Sequence, residues 1–146
     1  DGNCLFGVSP FGIWKNGYGD ETGSATAGTQ SYSDIFCDTL AWVEGKYVDY
    51  ISPQLYWNNE EKVAPYDTLL NWWSQSLEGT DTKLVVCHGA YRYDEWEHPE
   101  GEMTRQIELA KKSKNYAGSV FYGYSQIAGD KCGILGELEK LYSADR

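Results

Sequence analysis

The sequence contains no C-x-x-C pair: its four cysteines, Cys4, Cys37, Cys87 and Cys132, stand far apart. That spacing argues against a zinc site or a thioredoxin-like redox centre. It fits buried free thiols, while the even count also allows two disulfides whose connectivity spacing does not define, so the compartment stays open. Histidine is scarce, with only His88 and His98 and no metal-ligand spacing, and neither a metal nor another cofactor is expected. No run of about 18 apolar residues occurs, which excludes a membrane-spanning helix. Basic residues are few, Lys plus Arg 12 against 22 for Asp plus Glu. The resulting charge of −10 repels phosphate backbones and anionic head groups, so neither nucleic acid nor a membrane is an expected partner. The chain also falls short of the roughly 250 residues of a complete (β/α)8 barrel. Its start, Asp1-Gly2-Asn3-Cys4, is neither a signal n-region nor an initiator Met, and it reads as a single segment, residues 1–146, of something longer.

What the sequence does have is aromatic residues with polar edges, six Trp and twelve Tyr against four Phe, which suit interfaces and sugar sites better than a plain oily core. The apolar pattern repeats one unit four times. Leu5 to Val8 is a short apolar run ending at Ser9-Pro10, as a strand buried on both faces would be. A Gly/Ser/Thr-rich loop, 17–30, leads to Ser31 and Asp34 at capping-box-like spacing. Tyr32, Ile35, Phe36, Thr39, Leu40 and Val43 then form one helical stripe closing at Gly45. The second unit has a strand at Tyr47 to Ile51, stopped at Ser52-Pro53, and a helix opened by Pro65 with Tyr66, Leu69, Leu70, Trp73 and Leu77 on one face. Gly79 ends it. Lys83 to Cys87 and Ser119 to Tyr122 are the third and fourth strands. Met103, Ile107 and Ala110 mark the third helix, and Ile134, Leu135, Leu138, Leu141 and Tyr142 the last.

Strands alternating with amphipathic helices, at spacings on the order of 35 residues, define an α/β fold with a parallel sheet. The connections entering helices are long and aromatic, whereas those entering strands are short. That asymmetry is expected of half a (β/α)8 TIM barrel, whose site lies at the carboxyl ends of the strands. The alternative is a small flavodoxin-like sheet. Against it, no loop has the glycine spacing that cradles phosphate, since Gly17-Tyr18-Gly19 lacks a third glycine and does not open its helix directly. The half-barrel predicts strands near 5–8, 48–55, 83–87 and 119–122, parallel and in chain order.

The string Phe6-Gly7-Val8-Ser9-Pro10-Phe11-Gly12-Ile13-Trp14-Lys15-Asn16, followed by Gly23-Ser24-Ala25-Thr26, Gln30-Ser31-Tyr32 and Asp38-Thr39, resembles the bacterial glycosyl-hydrolase-like 10 family. The resemblance continues through 49–57, Ala64-Pro65-Tyr66-Asp67 and Trp72-Trp73, then thins to Gly89-Ala90-Tyr91-Arg92 and 118–122. It implies a β/α-barrel glycosidase of which this segment is the second half, strands five to eight. The family's acidic motif, two consecutive Asp followed by Tyr-Phe-Tyr-Pro at the end of strand four, is nowhere in this sequence. The resemblance thus places the best catalytic carboxylate candidates outside the chain.

Glycoside hydrolysis ordinarily needs two carboxyl groups about 5 to 9.5 Å apart, and the sequence offers no good pair. Asp49 precedes the apolar residues of its strand and suits the bottom face or a backbone contact. Asp94, Glu95, Glu97 and Glu100 read as a solvated acidic loop. The candidate substrate-binding residues are therefore Ser9, Trp14, Gln54, Tyr56, Trp57, His88, Tyr91 and Tyr124, each leaving a strand toward the expected site, with His88 alternatively a hydrogen-bonded structural residue. Two functions fit. One is the substrate-binding half of a glycoside hydrolase acting on a bacterial cell-wall or other polysaccharide, in a secreted or cell-envelope parent. The other is a non-catalytic carbohydrate-binding module. The expected partners are an oligosaccharide or polysaccharide and either the missing N-terminal half-barrel or a second copy of the chain.

Overall fold

The computed structural model of the chain describes residues 4–18 and 21–143. Residues 1–3 and Gly19, on which two of the sequence readings rest, lie outside them. Five parallel strands form one sheet: β1 (Gly7–Val8), β2 (Tyr50–Ile51), β3 (Gln54–Leu55), β4 (Lys83–His88) and β5 (Tyr116–Phe121). β2 and β3 are two pieces of one strand. Tyr50 and Ile51 pair with Lys83 and Leu84, and Gln54 and Leu55 with Cys87 and His88, in one unbroken register. Between them Pro53 accepts from the Cys87 N–H at 3.2 Å but has no N–H to return, and the ladder is interrupted. β1 runs beside β2, with Phe11 bridging onward to Gln54, and β5 lies across β4. The sheet therefore follows chain order. A register slip between Leu84 and Val85 leaves Ala117 as the extra residue of a β-bulge.

One face of the sheet is covered by helices. α3 (Tyr66–Ser76) buries Tyr66, Leu69, Leu70 and Trp73, with Leu77 just beyond its end, and meets Val8, Ile51, Leu55, Leu84 and Val86 in one apolar layer. α4 (Glu102–Ala110) and α6 (Ile134–Ser143) enclose a second cluster with Tyr93 and Trp96, through Met103, Ile107, Ile134 and Leu138. The stripes of α3 and α4 match the sequence pattern, and α6 buries Ile134 and Leu138 with Leu141 packed beside them, whereas Leu135 lies outside the cluster and Tyr142 is exposed. α5 (Tyr124–Ala128) is an additional short helix that the pattern does not mark, and β5 begins three residues earlier than Ser119.

The first helix differs from expectation. Instead of one stripe to Gly45 there are two pieces, α1 (Ser31–Asp34) and α2 (Thr39–Glu44). Phe36 takes a left-handed backbone with φ 54° and is 92% exposed. Asp38 restarts the helix by accepting from the Ala41 N–H at 3.3 Å, while the Trp14 indole donates to the same oxygen at 3.2 Å. An N-cap held in place by a buried indole outweighs the local apolar period. The capping contact also sits one residue early: the N–H of Gln30, not Ser31, reaches the Asp34 carboxylate. The cysteines are all free, but only Cys87 is buried; Cys4 and Cys132 are exposed and Cys37 is half-buried. Among the described residues no helix is long and apolar enough to cross a membrane.

Trp73 links two units, because its buried indole donates to the Gly12 carbonyl at 2.8 Å. Trp72, half-buried, reaches the Thr22 carbonyl at 3.1 Å. Trp73→Phe removes packed volume and leaves that carbonyl without its donor, and urea unfolding should show a loss of about 2 to 4 kcal/mol. Trp72→Phe should cost less than half as much; equal losses would mean that the Gly12 contact adds nothing.

Candidate functional site

All helix-entering loops emerge where the parallel strands end, and there Phe11, Gly12, Thr29, Gln54, Tyr56, Trp57, Tyr91 and Arg92 line a cleft of about 300 Å³. Gly12 is required by close approach: a Cβ there would meet the Gln54 carbonyl and lie 2.9 Å from the Trp57 ring. Gly89 has the same role behind Tyr56, where an added Cβ would stand 3.0 Å from its Cα. Gln54 is braced by donating its amide to the Ser9 carbonyl at 3.1 Å. Arg92 donates to the Tyr56 carbonyl at 3.0 Å and to Glu95 at 3.1 Å. The Tyr56 hydroxyl lies 3.3 Å from the Cys87 thiol. Burial, with this contact second, pushes the Tyr56 phenol above its usual range. Burial likewise raises the Cys87 thiol, opposed by the Tyr56 contact.

Beneath the cleft a buried polar network holds the loop that carries Tyr56 and Trp57. The Gln106 amide nitrogen donates to the Trp57 carbonyl and to Glu102, each at 3.0 Å. The same Glu102 oxygen accepts from the Asn59 N–H at 2.8 Å and from its side-chain amide at 2.7 Å. With its nitrogen so used, Gln106 turns its oxygen to His88 Nδ1 at 3.1 Å, which must then carry the ring proton. His88 Nε2 accepts from Ser119 at 2.9 Å. His88 is fully buried between Tyr66 and Phe121, and burial lowers its pKa to about 4, opposed by the Gln106 contact. It is a neutral, structural histidine and does not line the cleft.

Of the eight residues expected from the sequence, the structure brings Gln54, Tyr56, Trp57 and Tyr91 together. Ser9 is exposed at the end of β1 and offers the cleft only its carbonyl brace. Trp14 is 7% exposed, stacked on Trp72 at 5.7 Å and edged by Tyr32 at 5.1 Å, so it packs loops rather than facing the cleft. Tyr124 starts α5, exposed and away from the lining. Sequence reasoning missed Phe11, Gly12, Thr29 and Arg92. Phe11 and Gly12 stand three and four residues past the end of β1 and Arg92 is next to Tyr91, a signal that was available; Thr29 carries none.

No carboxylate among the described residues lines the cleft. Asp94 is taken by Lys131 at 3.0 Å and Glu95 by Arg92, and the Asp49 carboxylate accepts from the Phe6 N–H at 2.7 Å. A larger hollow of about 680 Å³ opens between α4 and α6 with Glu100, Asp130 and Glu137 in its lining; Asp130 accepts from the N–H groups of Leu135 and Gly136, and Glu137 is occupied by the Tyr93 hydroxyl and the N–H groups of Gly101 and Thr104. There it caps α4. The 300 Å³ cleft instead presents ring faces, an amide and a guanidinium, groups able to stack and to hydrogen-bond.

Fold and site together define a parallel α/β protein with an aromatic cleft at the carboxyl ends of its strands. The glycosyl hydrolase-like 10 family model matches residues 2–100, and the chain belongs to that family. It is 37% identical over 145 residues to the glycosyl hydrolase YngK of Bacillus subtilis (strain 168), covering 94% of this chain and 28% of that protein. The glycosyl hydrolase DigH of Escherichia coli (strain K12) is 34% identical over 126 residues, covering 80% and 29%. The chain's role is thus glycoside-hydrolase-related, and it spans less than a third of the length of these relatives.

The depressed pKa of His88 makes stability depend on pH. Above the unfolded value of 6.5 both states are neutral there and nothing is lost. As pH falls from 6.5 toward 4 the unfolded chain takes up the proton and the folded one does not, at a cost on the order of 3 kcal/mol by pH 4. Thermal midpoints measured from pH 7 to 5 should therefore fall more steeply for the native chain than for His88→Gln; parallel slopes would show that His88 protonates freely in the fold.

Proposed function

We propose that this chain is the second half of a (β/α)8 catalytic barrel, strands five to eight, and that it supplies the substrate-binding side of a glycoside hydrolase acting on an oligosaccharide or polysaccharide. The observation that carries the reading is the cleft itself. Trp57, Tyr56 and Tyr91 offer rings, and Gln54 and Arg92 offer polar groups, at the strand ends where a β/α barrel keeps its site. Membership of the glycosyl hydrolase-like 10 family supports the reaction class. The catalytic carboxylates come from outside this chain. Among the described residues neither β1 nor β5 pairs on its outer side, and Leu5, Phe6 and Val120 are exposed near those edges. Open edges of this kind take a partner, here the missing half-barrel or a second copy of the chain.

Two measurements test this. Calorimetric titration with β-1,4-linked hexasaccharides of glucose and of N-acetylglucosamine should show binding that Trp57→Ala weakens about tenfold, the loss of one well-packed ring. Unchanged affinity in folded Trp57→Ala and Tyr56→Ala would mean that these rings only pack. Sedimentation of the 146-residue chain should show self-association at micromolar concentration, with no glycan hydrolysis in the same sample. A compact monomer that turns over substrate would overturn the half-barrel reading.

A further inference from the structure

Of the three packed tyrosines at the strand ends, Tyr56, Tyr91 and Tyr122, the one with an exposed ring face is Tyr122. One face of Tyr56 lies against Tyr122, with centroids 5.9 Å apart and planes 13° from parallel. Tyr91 adds its edge at 5.5 Å, Gly89 stands behind, and the hydroxyl is on Cys87. Tyr122, by contrast, is 59% exposed, with Tyr56 and Tyr91 on its inner side only. Its backbone is held at both ends: the N–H donates to the His88 carbonyl and the carbonyl accepts from the Tyr91 N–H, each at 2.9 Å. The ring is placed before any ligand arrives, so little ordering entropy is lost on binding.

Tyr122 also stands apart from the cleft. Tyr56 and Tyr91 line the cleft and touch Tyr122, whereas Tyr122 does not line it. The strand ends thus carry an aromatic row, from Phe11 beside β1, through Trp57 and the Tyr56–Tyr91 wall, to Tyr122 after β5. We propose that Tyr122 forms a second sugar-stacking subsite beyond that wall, and that the ligand is a chain of linked pyranose rings rather than a single terminal sugar. This rests on the reading of the cleft as a saccharide site. The apolar face of a pyranose presents C–H groups of partial positive charge, which a tyrosine ring face attracts while its hydroxyl edge stays in water. A lone ring in the cleft is separated from Tyr122 by Tyr56 and Tyr91; a linked chain spans both.

The test is chain-length dependence, using calorimetric titration of the protein with β-1,4-linked disaccharides and hexasaccharides of glucose and of N-acetylglucosamine. Tyr122→Ala should weaken hexasaccharide binding about five- to tenfold, the range of one aromatic contact, and leave disaccharide binding in the cleft unchanged. Tyr122→Phe should keep the native affinity for both lengths. Equal weakening of both lengths by Tyr122→Ala would mean that the ring only supports Tyr56, and no change in either would mean that it lies outside the site. Each of these outcomes overturns the second subsite, while continued sensitivity to Trp57→Ala leaves the cleft reading standing. If neither hexasaccharide binds, or Trp57→Ala also has no effect, the cleft reading fails and this inference fails with it.

Discussion

Gln106, a buried amide on α4, is the residue on which the site depends. Its nitrogen bonds the Trp57 carbonyl and Glu102, its oxygen faces His88, and its own carbonyl accepts from the Tyr66 hydroxyl at 3.1 Å. Four elements meet there: α3, α4, the end of β4 and the loop that carries Tyr56 and Trp57. Buried polar groups are costly unless each finds a partner, and here the partners fix both the orientation of the amide and the tautomer of the histidine. The aromatic loop is consequently attached to the scaffold by hydrogen bonds to its backbone. Its side chains are left for the cleft.

The aromatic residues divide into two groups by what surrounds them, not by type. Trp14, Trp72 and Trp73 form a stacked and edge-on set that ties the first long loop to α3, with indole donors on the carbonyls of Thr22 and Gly12. Tyr56, Tyr91 and Tyr122 form a second set at the strand ends, where ring faces border the cleft or solvent. An aromatic residue with one polar edge serves either purpose, and a loop decides which by whether another ring reaches its face first.

Parallel topology explains why the site lies on one edge at all. Every strand runs the same way, so every helix-entering loop opens at the same end, and residues far apart in the chain, such as Phe11, Gln54 and Tyr91, are brought to one cleft. The acidic surplus of the chain does not collect there. Asp94 and Glu95 are paired with cations outside the cleft and Asp49 accepts from a backbone N–H in β1's approach. Among the described residues the cleft therefore has no acid pair of its own.

By itself the sequence determined the parallel α/β class, the strand order, the family, the buried stripes of α3, α4 and α6, and the placement of Gln54, Tyr56, Trp57 and Tyr91 at strand ends. Those features are local: a period of 3.6 or 2, a glycine or proline stop, a position just past an apolar run. Tertiary structure alone decided the rest. The stripe through Ile35 and Phe36 broke because Asp38 is held by Trp14, a contact across 24 residues that no helical period contains. Trp14 and His88 left the candidate site because rings from other units, Trp72 on Trp14 and Tyr66 and Phe121 on His88, took their faces. The sequence puts Tyr122 at the exit of its strand and Gly12 and Arg92 close to strand ends, but only the folded chain shows which backbone Arg92 braces, where a Cβ on Gly12 would collide and which ring face of Tyr122 is left open. Periodicity records which residues one element buries, whereas occupancy of a surface depends on elements that arrive from elsewhere in the chain.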